Sequence, residues 1–307
     1  MKIHQHWQGL DPKTRGASVA MGNFDGVHIG HRSVIDLART AAPLGIVTFE
    51  PHPREFFAPN APPFRLMNAE SRTNRLAKLG VKHLFQLPFN ADLANLSPDD
   101  FTHLVLAGGL GISHVVVGAD FCFGKGRKGR ASDLQVLGDK HGFGVTIANL
   151  VKSDGVEISS TAIRAALTEG QPRVAAAMLG HRHRIDGEVI HGEKRGRKLG
   201  YPTANMSIAG LHMPKFGVYA TLVDVLTGPH SGSYHAASSL GIRPMFGENL
   251  PNLESYLFDF QGDLYGEHLS VALVDYLRPE MKFDGLPGLL DQMAADVVQA
   301  ADILNSL

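Results

Sequence analysis

Two histidines in a glycine-rich turn are the residues of this sequence best placed to bind an anion. His28 and His31 belong to the stretch 22–31, which reads GNFDGVHIGH. Their spacing puts both side chains on one side of a helical turn. Glycines allow a ligand to approach the backbone, and the N–H groups at a helix N-terminus attract anions. The stretch therefore predicts a cradle for a triphosphate.

A strand and a helix must hold this turn. The apolar run 17–21 precedes it, and residues 33–42 carry apolar side chains at helical spacing. Two other interpretations stay open. The stretch is also typical of an ordinary helix start with two solvent-facing histidines. A zinc site is a further alternative, although the chain has one cysteine and no compact group that would supply a third and a fourth ligand.

Length and composition indicate a folded protein of two domains. The chain has 307 residues, of which 44% are hydrophobic and 19% charged. A formal net charge of −1 gives no global attraction to nucleic acid, and the single Cys122 excludes an internal disulfide. Residues 1–10 are polar, and no apolar run is long enough to cross a bilayer. We therefore expect no signal peptide, no membrane association and a cytoplasmic location.

Apolar runs alternate with helical patterns in the first half of the chain. This alternation predicts a parallel sheet covered by helices, with ligands bound beyond the carboxyl ends of the strands. The predicted strands are 17–21, 45–49, 82–87, 114–117 and 144–150. The predicted helices are 33–42, 70–79, 98–108, 132–141 and 171–179.

Two further segments with polar side chains follow predicted strands. Residues 49–53 (FEPHP) contain two prolines that enforce an extended exit, either as a stiff loop or as a ligand contact. Residues 118–130 offer Asp120 as a hydrogen-bond acceptor, Phe121 for ring stacking and a basic run that includes Arg127. Such a run is typical of a solvated loop and is also compatible with nucleic-acid binding. Its glycines favour a mobile loop that binds phosphate.

Three successive hydroxyl groups follow the fifth predicted strand. Ser159, Ser160 and Thr161 precede a helical segment that carries Arg164 one turn later. One hydroxyl is explained as an ordinary N-cap, but three hydroxyls with a guanidinium exceed what a cap requires. Hydroxyls, N-terminal amides and a guanidinium together can hold a polyphosphate.

The pattern changes from residue 184 onward. Strand-like segments become short, alternate in polarity and are separated by glycine-containing turns, which predicts an antiparallel barrel or sandwich. Examples of the predicted strands of this half are 184–190, 217–226, 254–260 and 268–277. Residues 286–304 repeat apolar side chains at intervals of three and four, and they predict a terminal amphipathic helix.

The motifs of the first half resemble the FAD synthetase module of bacterial bifunctional riboflavin kinase/FAD synthetases. His28-Ile29-Gly30-His31 is the His-x-Gly-His signature of nucleotidyltransferases, and segments 118–129 and 158–164 match the module in the same order. The resemblance implies a Rossmann-like domain that transfers AMP from ATP to FMN, with His28 and His31 as catalytic residues. The nucleotide- and flavin-binding residues that it implies are Gly22, Phe24, Asp25, Gly26, Gly30, Asp120, Phe121, Arg127, Ser159, Ser160, Thr161 and Arg164.

The motifs of the second half resemble the riboflavin kinase module of the same family. They are GEVIHG at 187–192 and GRKLGYPTAN at 196–205. The resemblance implies a six-stranded barrel that phosphorylates riboflavin, with Glu254 as the base for the riboflavin hydroxyl. It also implies that Thr203 and Asn205 hold Mg²⁺ and the ATP phosphates, as hard oxygen ligands can. The nucleotide- and flavin-binding residues that it implies are Gly192, Arg197, Gly200, Pro202, Thr203 and Asn205.

The resemblance covers nearly the whole chain, with one departure. Met245 stands where the family has threonine, so a hydroxyl is lost there. The resemblance implies an adenylyltransferase domain at 1–183 and a kinase domain at 184–307. The expected small molecules are ATP, riboflavin, FMN, FAD and Mg²⁺, with neither nucleic acid nor membrane as a partner. Client flavoproteins are not predictable from the sequence.

Two alternatives are weighed against this hypothesis. In the first, only the adenylyltransferase is active and the barrel is a flavin-binding relic. Intact Thr203, Asn205 and Glu254 argue against it. In the second, the chain binds RNA, because His-x-Gly-His also occurs in class I aminoacyl-tRNA synthetases. The neutral net charge and the lack of an anticodon-type helical domain argue against that alternative.

Overall fold

The computed structural model describes residues 1–149, 151–153, 156–192, 196, 199–245 and 248–307, without the side chains of 152–153, 156–157, 243–245 and 248–250. Packing divides the chain into two compact units. The first unit comprises Met1–Pro62 and Arg72–Ser159, and the second comprises Pro63–Ser71 and Ser160–Leu307. The predicted domains 1–183 and 184–307 follow the motifs rather than this packing, and they stay a prediction.

A six-stranded sheet, parallel throughout, forms the centre of the first unit. Its strands are β1 (Lys2–His4), β2 (Ser18–Met21), β3 (Leu44–Glu50), β4 (His83–Pro88), β5 (His114–Gly118) and β8 (Gly144–Ala148). Two short hairpins accompany it, formed by β6 (Cys122–Phe123) with β7 (Gly129–Arg130) and by β9 (Lys152–Ser153) with β10 (Val156–Glu157). Apolar runs predicted every strand of the sheet except β1, which is too short to show a pattern.

The helices of this part of the chain match the predicted segments apart from their ends, and they include two short helices, at 53–57 and 91–94, that were not predicted. They are α1 (Ile29–Leu37), α2 (Pro53–Phe57), α3 (Ala69–Lys78), α4 (Ala91–Ala94), α5 (Pro98–Asp100), a π-helix (Phe101–Leu110) and α6 (Ala131–His141). The first helix begins four residues before the predicted start, because His28 serves as its cap. Apolar periodicity predicted an α-helix over 98–108. The structure instead has the short helix α5 continued by a π-helix, because apolar periodicity does not distinguish the two helix types.

The strands at the centre of this sheet are buried on both faces. All four residues of β2 are buried, and Val115, Val116 and Val117 of β5 are 0% exposed. Their side chains pack with apolar residues of the π-helix and of α6. Continuous apolar strands of this kind are typical of parallel sheets covered by helices. This packed centre gives the turns at the strand ends a rigid support.

The order of the strands creates a crevice beside β2. The order across the sheet is β1-β4-β3-β2-β5-β8. After β2 the chain places β3 and β4 on one side, and it then crosses to place β5 and β8 on the other side. The connections therefore diverge between β2 and β5, and in open parallel sheets ligands bind at such a switch point, beyond the carboxyl ends of the strands.

The second unit contains a six-stranded antiparallel barrel. Its strands are β11 (Arg184–Glu188), β12 (Ala204–Ser207), β13 (Gly217–Val225), β14 (Gly232–Met245), β15 (Glu248–Leu257) and β16 (His268–Arg278). They follow the order β11-β16-β13-β14-β15-β12. Ile190 N donates to Asn205 O at 2.9 Å, so the chain beyond β11 meets β12 and nearly closes the sheet. The predicted barrel is confirmed, although β12 and β14 were missing from the predicted strands.

Helices pack around this barrel. The terminal helix α9 (Leu286–Asn305), also confirmed, places Ala300 and Leu304 against Ala220 and Val274 of the barrel strands. Two shorter helices, α7 (Ser160–Thr168) and α8 (Pro172–Leu179), form a separate apolar cluster together with Leu66. The barrel core itself consists of residues from 185 to 273. Among the described residues, every member of the barrel core therefore comes from position 185 or later.

Among the described residues, every helix is either too short or too polar to cross a bilayer.

Candidate active sites

The first candidate site is the turn that follows β2. Phe24, Gly26 and Val27 have φ angles of 52°, 86° and 43°, in the left-handed region that favours glycine. The two residues that are not glycine are held by burial, since Phe24 and Val27 are each 1% exposed. Val27 N donates to Phe24 O at 3.2 Å, and Asp25 between them is buried as well. The backbone is strained and fixed at the point where α1 begins, as is common at functional sites.

His28 caps the helix that follows this turn. Its backbone is extended, with φ of −71° and ψ of 174°, and its Nδ1 accepts a hydrogen bond from His31 N at 3.2 Å. Nδ1 therefore carries no proton, and in the neutral ring the proton is on Nε2. His28 thus stands at the N-terminus of α1, where the first amides have no partner further back in the helix.

The structure brings the two predicted histidines into direct contact. Their rings are stacked with centroids 3.6 Å apart and planes inclined by 15°, and Phe24 lies 5.2 Å from the ring of His31. Burial lowers the pKa of His31 well below its ordinary value, and the neighbouring His28 adds to that shift. His31 is therefore neutral at neutral pH. Its Nδ1 is buried and has no hydrogen-bond partner among the described residues.

The ring of His28 explains why a glycine stands at position 30, but it does not explain the glycine at position 22. A Cβ atom at Gly30 would lie 3.1 Å from both Cε1 and Nδ1 of His28, which is closer than ordinary van der Waals contact. A Cβ atom at Gly22 would meet the Phe24 ring at 3.6 Å, which is an ordinary contact. The capping conformation of His28 therefore requires a small residue at position 30, whereas Gly22 has no such steric reason.

A second predicted segment follows β5. Phe121 is half-buried and stacks on Phe123, with ring centroids 5.9 Å apart. Asp120 and Arg127 are exposed, and Arg127 lies in a tight turn with φ of 56°. Both side chains are therefore accessible to solvent and to a ligand.

Sheet topology places these two segments at the same edge. Ser18 and Ala20 of β2 are register partners of His114 and Val116 of β5, and the strands are parallel. Both turns therefore leave the sheet at the carboxyl ends of neighbouring strands, on either side of the switch point. The predicted cradle and the predicted aromatic segment share the crevice at this edge.

The segment after β3 has a structural role. His52 caps α2, because its Nδ1 accepts from Arg54 N at 3.0 Å. Glu55 completes a capping box by accepting from His52 N at 3.2 Å. Of the two interpretations of residues 49–53, these bonds favour the stiff loop.

The predicted hydroxyl segment spans the division between the two units. Ser159 ends the first unit, whereas Ser160, Thr161 and Arg164 belong to α7 in the second unit. Within that unit, Arg164 Nε donates to Phe64 O at 2.6 Å, and its guanidinium lies 5.4 Å from the centroid of the Phe64 ring. The predicted contact of these residues with nucleotide phosphates stays a prediction.

The second candidate site is a cluster of side chains on two neighbouring barrel strands. Asn205 of β12 and Glu254 of β15 are direct register partners. Leu253 and Leu257 point into the barrel core, so Glu254 lies on the opposite face of β15. Ala204 likewise belongs to the core, which places Asn205 on the same outer face. The predicted metal ligand and the predicted base are therefore neighbours, outside the barrel core.

Amide hydrogen bonds join this cluster. Asn205 Nδ2 lies 3.3 Å from Thr203 O and 3.4 Å from Thr203 Oγ1. Asn205 Oδ1 accepts from Asn252 Nδ2 at 2.9 Å, and the same nitrogen lies 3.4 Å from Glu254 Oε1. Asn252 was not among the residues predicted from the sequence, although its position two residues before Glu254 was a usable signal.

Glycines bring backbone close to the cluster. A Cβ atom at Gly192 would lie 2.7 to 2.8 Å from the side-chain amide of Asn205, so the chain there packs directly on that amide. Gly200 has φ of 85° in the turn before Tyr201, and Pro202 is exposed. The predictions for Arg197 and for the side chain of Met245 lie outside the described residues.

The chemistry of the two sites differs. The first offers neutral imidazole N–H groups and helix amides, which stabilise negative charge without being charged themselves. The second offers a carboxylate, an amide oxygen and a hydroxyl, which accept protons or bind a hard cation. Within the described ranges, His, Cys, Asp and Glu form no group of three that could hold a metal ion alone.

Two family models match the chain, one in each half. Residues 10–162 match a family model described as FAD synthetase, and residues 179–304 match one described as riboflavin kinase. A protein of Pseudomonas fluorescens named bifunctional riboflavin kinase/FMN adenylyltransferase is 39% identical, over 98% of this chain and 97% of its own. A protein of Escherichia coli K12 with the same name is 36% identical, over 94% of this chain and 93% of its own.

A solved structure supports the fold over nearly the whole chain. It is described as a macrolide-efflux protein from Streptococcus pneumoniae, is 31% identical, and covers 96% of both chains with a TM-score of 0.81.

Proposed function

This chain belongs to the family of bifunctional riboflavin kinase/FMN adenylyltransferases, and we propose that each of its two reactions takes place at one of the two sites described above. The predicted activities, phosphorylation of riboflavin to FMN and adenylylation of FMN to FAD, are confirmed by this membership. ATP, riboflavin and FMN follow as the substrates. The assignment of residues to each reaction is our proposal.

Adenylyl transfer is assigned to the turn after β2. The phosphate of FMN is already anionic, so no side-chain nucleophile is required, and catalysis consists of positioning and charge stabilisation. His28 Nε2–H and the imidazole of His31 would donate to oxygens that gain negative charge at the α-phosphate of ATP. Because His31 is neutral, its ring would donate a hydrogen bond to these oxygens without transferring the proton. The amides at the start of α1 would add further donors.

Riboflavin phosphorylation is assigned to the cluster on β12 and β15. The riboflavin hydroxyl is a weak nucleophile at neutral pH, and Glu254 would orient it and accept its proton late in the transfer. Thr203 and Asn205 would hold the phosphate end of ATP. The observation that carries this assignment is the register pairing of Asn205 with Glu254, which puts the phosphate-binding group and the base side by side.

The residues of this cluster fit Mg²⁺. Asn205 Oδ1 accepts one hydrogen bond, from Asn252, and an amide oxygen has a second lone pair for a cation. Thr203 Oγ1 is the other hard oxygen. Because Mg²⁺ usually takes few protein ligands and completes its shell with water and phosphate oxygens, two such ligands are sufficient. When bound, it would neutralise charge on the transferred phosphate.

Product analysis tests these assignments. Full-length protein is incubated with riboflavin, ATP and Mg²⁺, and FMN and FAD are separated over time by chromatography. The parent should form FMN first and FAD later, and omission of Mg²⁺ should stop both products. FAD from FMN without any FMN from riboflavin would restore the alternative in which the barrel is a relic.

Small molecules are proposed as the partners of this protein, in a cytoplasmic location, without nucleic acid or membrane. The formal net charge of −1 supports this, since it offers no general attraction to a polyanion. Retention on immobilised RNA that weakens with salt would instead support the RNA-binding alternative.

The proposed kinase domain, 184–307, can be tested as a fragment. Its barrel core lies wholly within the fragment, as do the contacts between that barrel and α9. A fragment from Arg184 to Leu307 should therefore fold and make FMN but no FAD. If soluble fragments with several start points between 160 and 184 all lack kinase activity, the proposed boundary is wrong.

A further inference from the structure

Asn252 contacts two of the residues assigned to the kinase reaction. It lies on β15 two residues before Glu254, so both side chains leave the same face of the strand. Its Nδ2 donates to Asn205 Oδ1 at 2.9 Å and lies 3.4 Å from Glu254 Oε1. A primary amide nitrogen carries two hydrogens, and these two contacts use both. The Asn252 side chain is therefore a link between the two functional groups.

The backbone of Thr203 determines the orientation of the side-chain amides of Asn205 and Asn252. Asn205 Nδ2 faces Thr203 O, and a carbonyl oxygen only accepts hydrogen bonds. The oxygen of the Asn205 side chain must then face Asn252. Asn252 can satisfy that oxygen only by presenting its own nitrogen, because two amide oxygens repel each other. The Thr203 carbonyl therefore determines the orientation of both side-chain amides, and this orientation directs an N–H of Asn252 toward Glu254.

We infer that Asn252 is a positioning residue for riboflavin phosphorylation, which orients Asn205 and Glu254 together through the two hydrogens of one amide. The inference rests on the proposed kinase site. Asn205 is assigned to the phosphate end of the transfer and Glu254 to the hydroxyl end, so Asn252 sets the geometry between two groups that act on one reaction. Supporting hydrogen bonds of this kind contribute about 10- to 100-fold to activity.

The side-chain oxygen of Asn252 helps to distinguish a positioning role in catalysis from a contribution to the stability of the fold. Asn252 is 2% exposed, and its Oδ1 is buried with no hydrogen-bond partner in the part of the chain that the structure describes. A buried amide oxygen without a partner destabilises a fold, and an apolar side chain of similar size would remove that cost. Loss of the Asn252 amide would remove this cost but would leave Asn205 Oδ1 without its donor, so the two effects on stability oppose each other and turnover should change more than unfolding does.

Three substitutions in the full chain separate positioning from packing. Asn252→Leu keeps the size and removes both donated hydrogens, and Asn252→Thr keeps one donating hydroxyl. Asn68→Leu is the matched control, since Asn68 lies in the same unit and its Nδ2 donates to Asp186 O at 2.8 Å, outside the cluster. Turnover and KM for riboflavin are measured for each variant. Unfolding is followed by the near-ultraviolet signal of the tyrosines, all of which lie at position 201 or beyond.

Turnover should follow the number of donated hydrogens. We expect a fall of about 10- to 100-fold in Asn252→Leu, a smaller fall in Asn252→Thr and a change of no more than about twofold in Asn68→Leu. KM for riboflavin should stay near the parental value, and the unfolding temperature of Asn252→Leu should change much less than its turnover. Parental turnover in Asn252→Leu overturns the inference, and so does turnover that follows unfolding temperature across the three variants. If Asn252→Leu does not fold, parental turnover in Asn252→Thr overturns it.

Glu254→Gln, assayed alongside, separates this inference from the proposed function. If Glu254→Gln loses turnover while Asn252→Leu keeps it, the kinase site stands and the positioning role of Asn252 fails. If Glu254→Gln itself keeps parental turnover, the proposed site fails, and the inference falls with it.

Discussion

The two candidate sites are held in place by different levels of the structure. In the first unit, His28 and His31 come from one continuous turn, and backbone conformation and a helix cap set their positions. In the second unit, Asn205 and Asn252 are 47 residues apart, and the register of neighbouring strands brings them together. The first site is therefore a local structure, whereas the second exists only once the barrel has formed.

This difference predicts how each site fails. A turn of this kind is vulnerable to added volume next to the backbone, as at Gly30. A cluster assembled across strands is vulnerable to loss of the side-chain bonds that align it. Substitutions at each site should change one reaction and leave the other unchanged.

The largest effect is expected at the base. Glu254→Gln keeps the size and a hydrogen-bonding group but cannot accept the proton of the riboflavin hydroxyl. Riboflavin kinase turnover should fall by about 10²- to 10⁴-fold, the usual contribution of general-base catalysis. Riboflavin affinity should weaken little, and adenylylation of supplied FMN should be unchanged. Initial rates with riboflavin and with FMN as separate substrates check this, and parental kinase turnover would remove Glu254 from the mechanism.

Substitution of the histidines in the turn after β2 should impair the other reaction, adenylylation of FMN. His28→Ala or His31→Ala should lower FAD formation by about 10²- to 10³-fold, the range for loss of one transition-state donor. FMN formation should stay near the parental rate, since it is assigned to the other unit. The same two assays measure this. Persistence of FAD synthesis in the double variant would reduce both histidines to a helix start without a catalytic role.

A pH experiment compares the stability of the two units. Burial lowers the pKa of His183 to about 3, with a further contribution from His181 and His212. Between pH 6.5 and 3 only the unfolded chain binds the proton, so stability is full above pH 6.5 and falls as the pH is lowered. From pH 6.5 to 5 the second unit should lose about 2 kcal/mol of unfolding free energy through this residue.

Two probes assign that loss to a unit. All six tyrosines lie in the second unit, whereas the single tryptophan, Trp7, lies in the first. In urea unfolding, His183→Gln should reduce the pH dependence of the tyrosine transition and leave that of Trp7 fluorescence as in the parent. An equal change in both transitions would show that the two units unfold together.

The smallest effect is expected at Gly30. Gly30→Ala adds a Cβ atom 3.1 Å from the His28 ring, so the ring must shift by a few tenths of an ångström. Misplacement of a catalytic donor by this amount should lower FAD formation by about tenfold, with FMN formation unchanged. Alanine favours the helix over glycine, so the first unit should not lose stability. Trp7 fluorescence during unfolding and the FAD assay together check both parts, and unimpaired FAD formation would show that the turn tolerates the added volume.

Sequence patterns predicted the local site better than the assembled one. The spacing of His28 and His31 was sufficient to place both rings on one helical turn, because only neighbouring backbone is involved. The strain at Phe24 and Val27 was not readable, since neither residue type indicates a positive φ. Burial of both side chains, rather than local preference, holds that conformation.

The assembled site depended on information that periodicity does not contain. Alternation along β15 put Glu254 on one face, but the pairing with Asn205 depends on register, and β12 was not a predicted strand. Asn252 was missed because its importance comes from burial and from two partners on the same barrel face. Arg164 was expected to bind phosphate, and its contact with Phe64 depends on a segment about a hundred positions earlier in the chain.

Complementation between two inactive variants tests the central claim, that the two reactions occupy separate sites, most directly. Glu254→Gln and the double variant His28→Ala/His31→Ala are supplied with riboflavin, ATP and Mg²⁺, first singly and then mixed. Glu254→Gln alone should make almost no product, and the double histidine variant should accumulate FMN. The mixture should make FAD, because FMN released by one variant is adenylylated by the other. Failure of the mixture to make FAD, although each variant retains its expected single activity, would contradict free exchange of FMN between sites. Loss of both activities in either variant would contradict the assignment of the two reactions to separate sites.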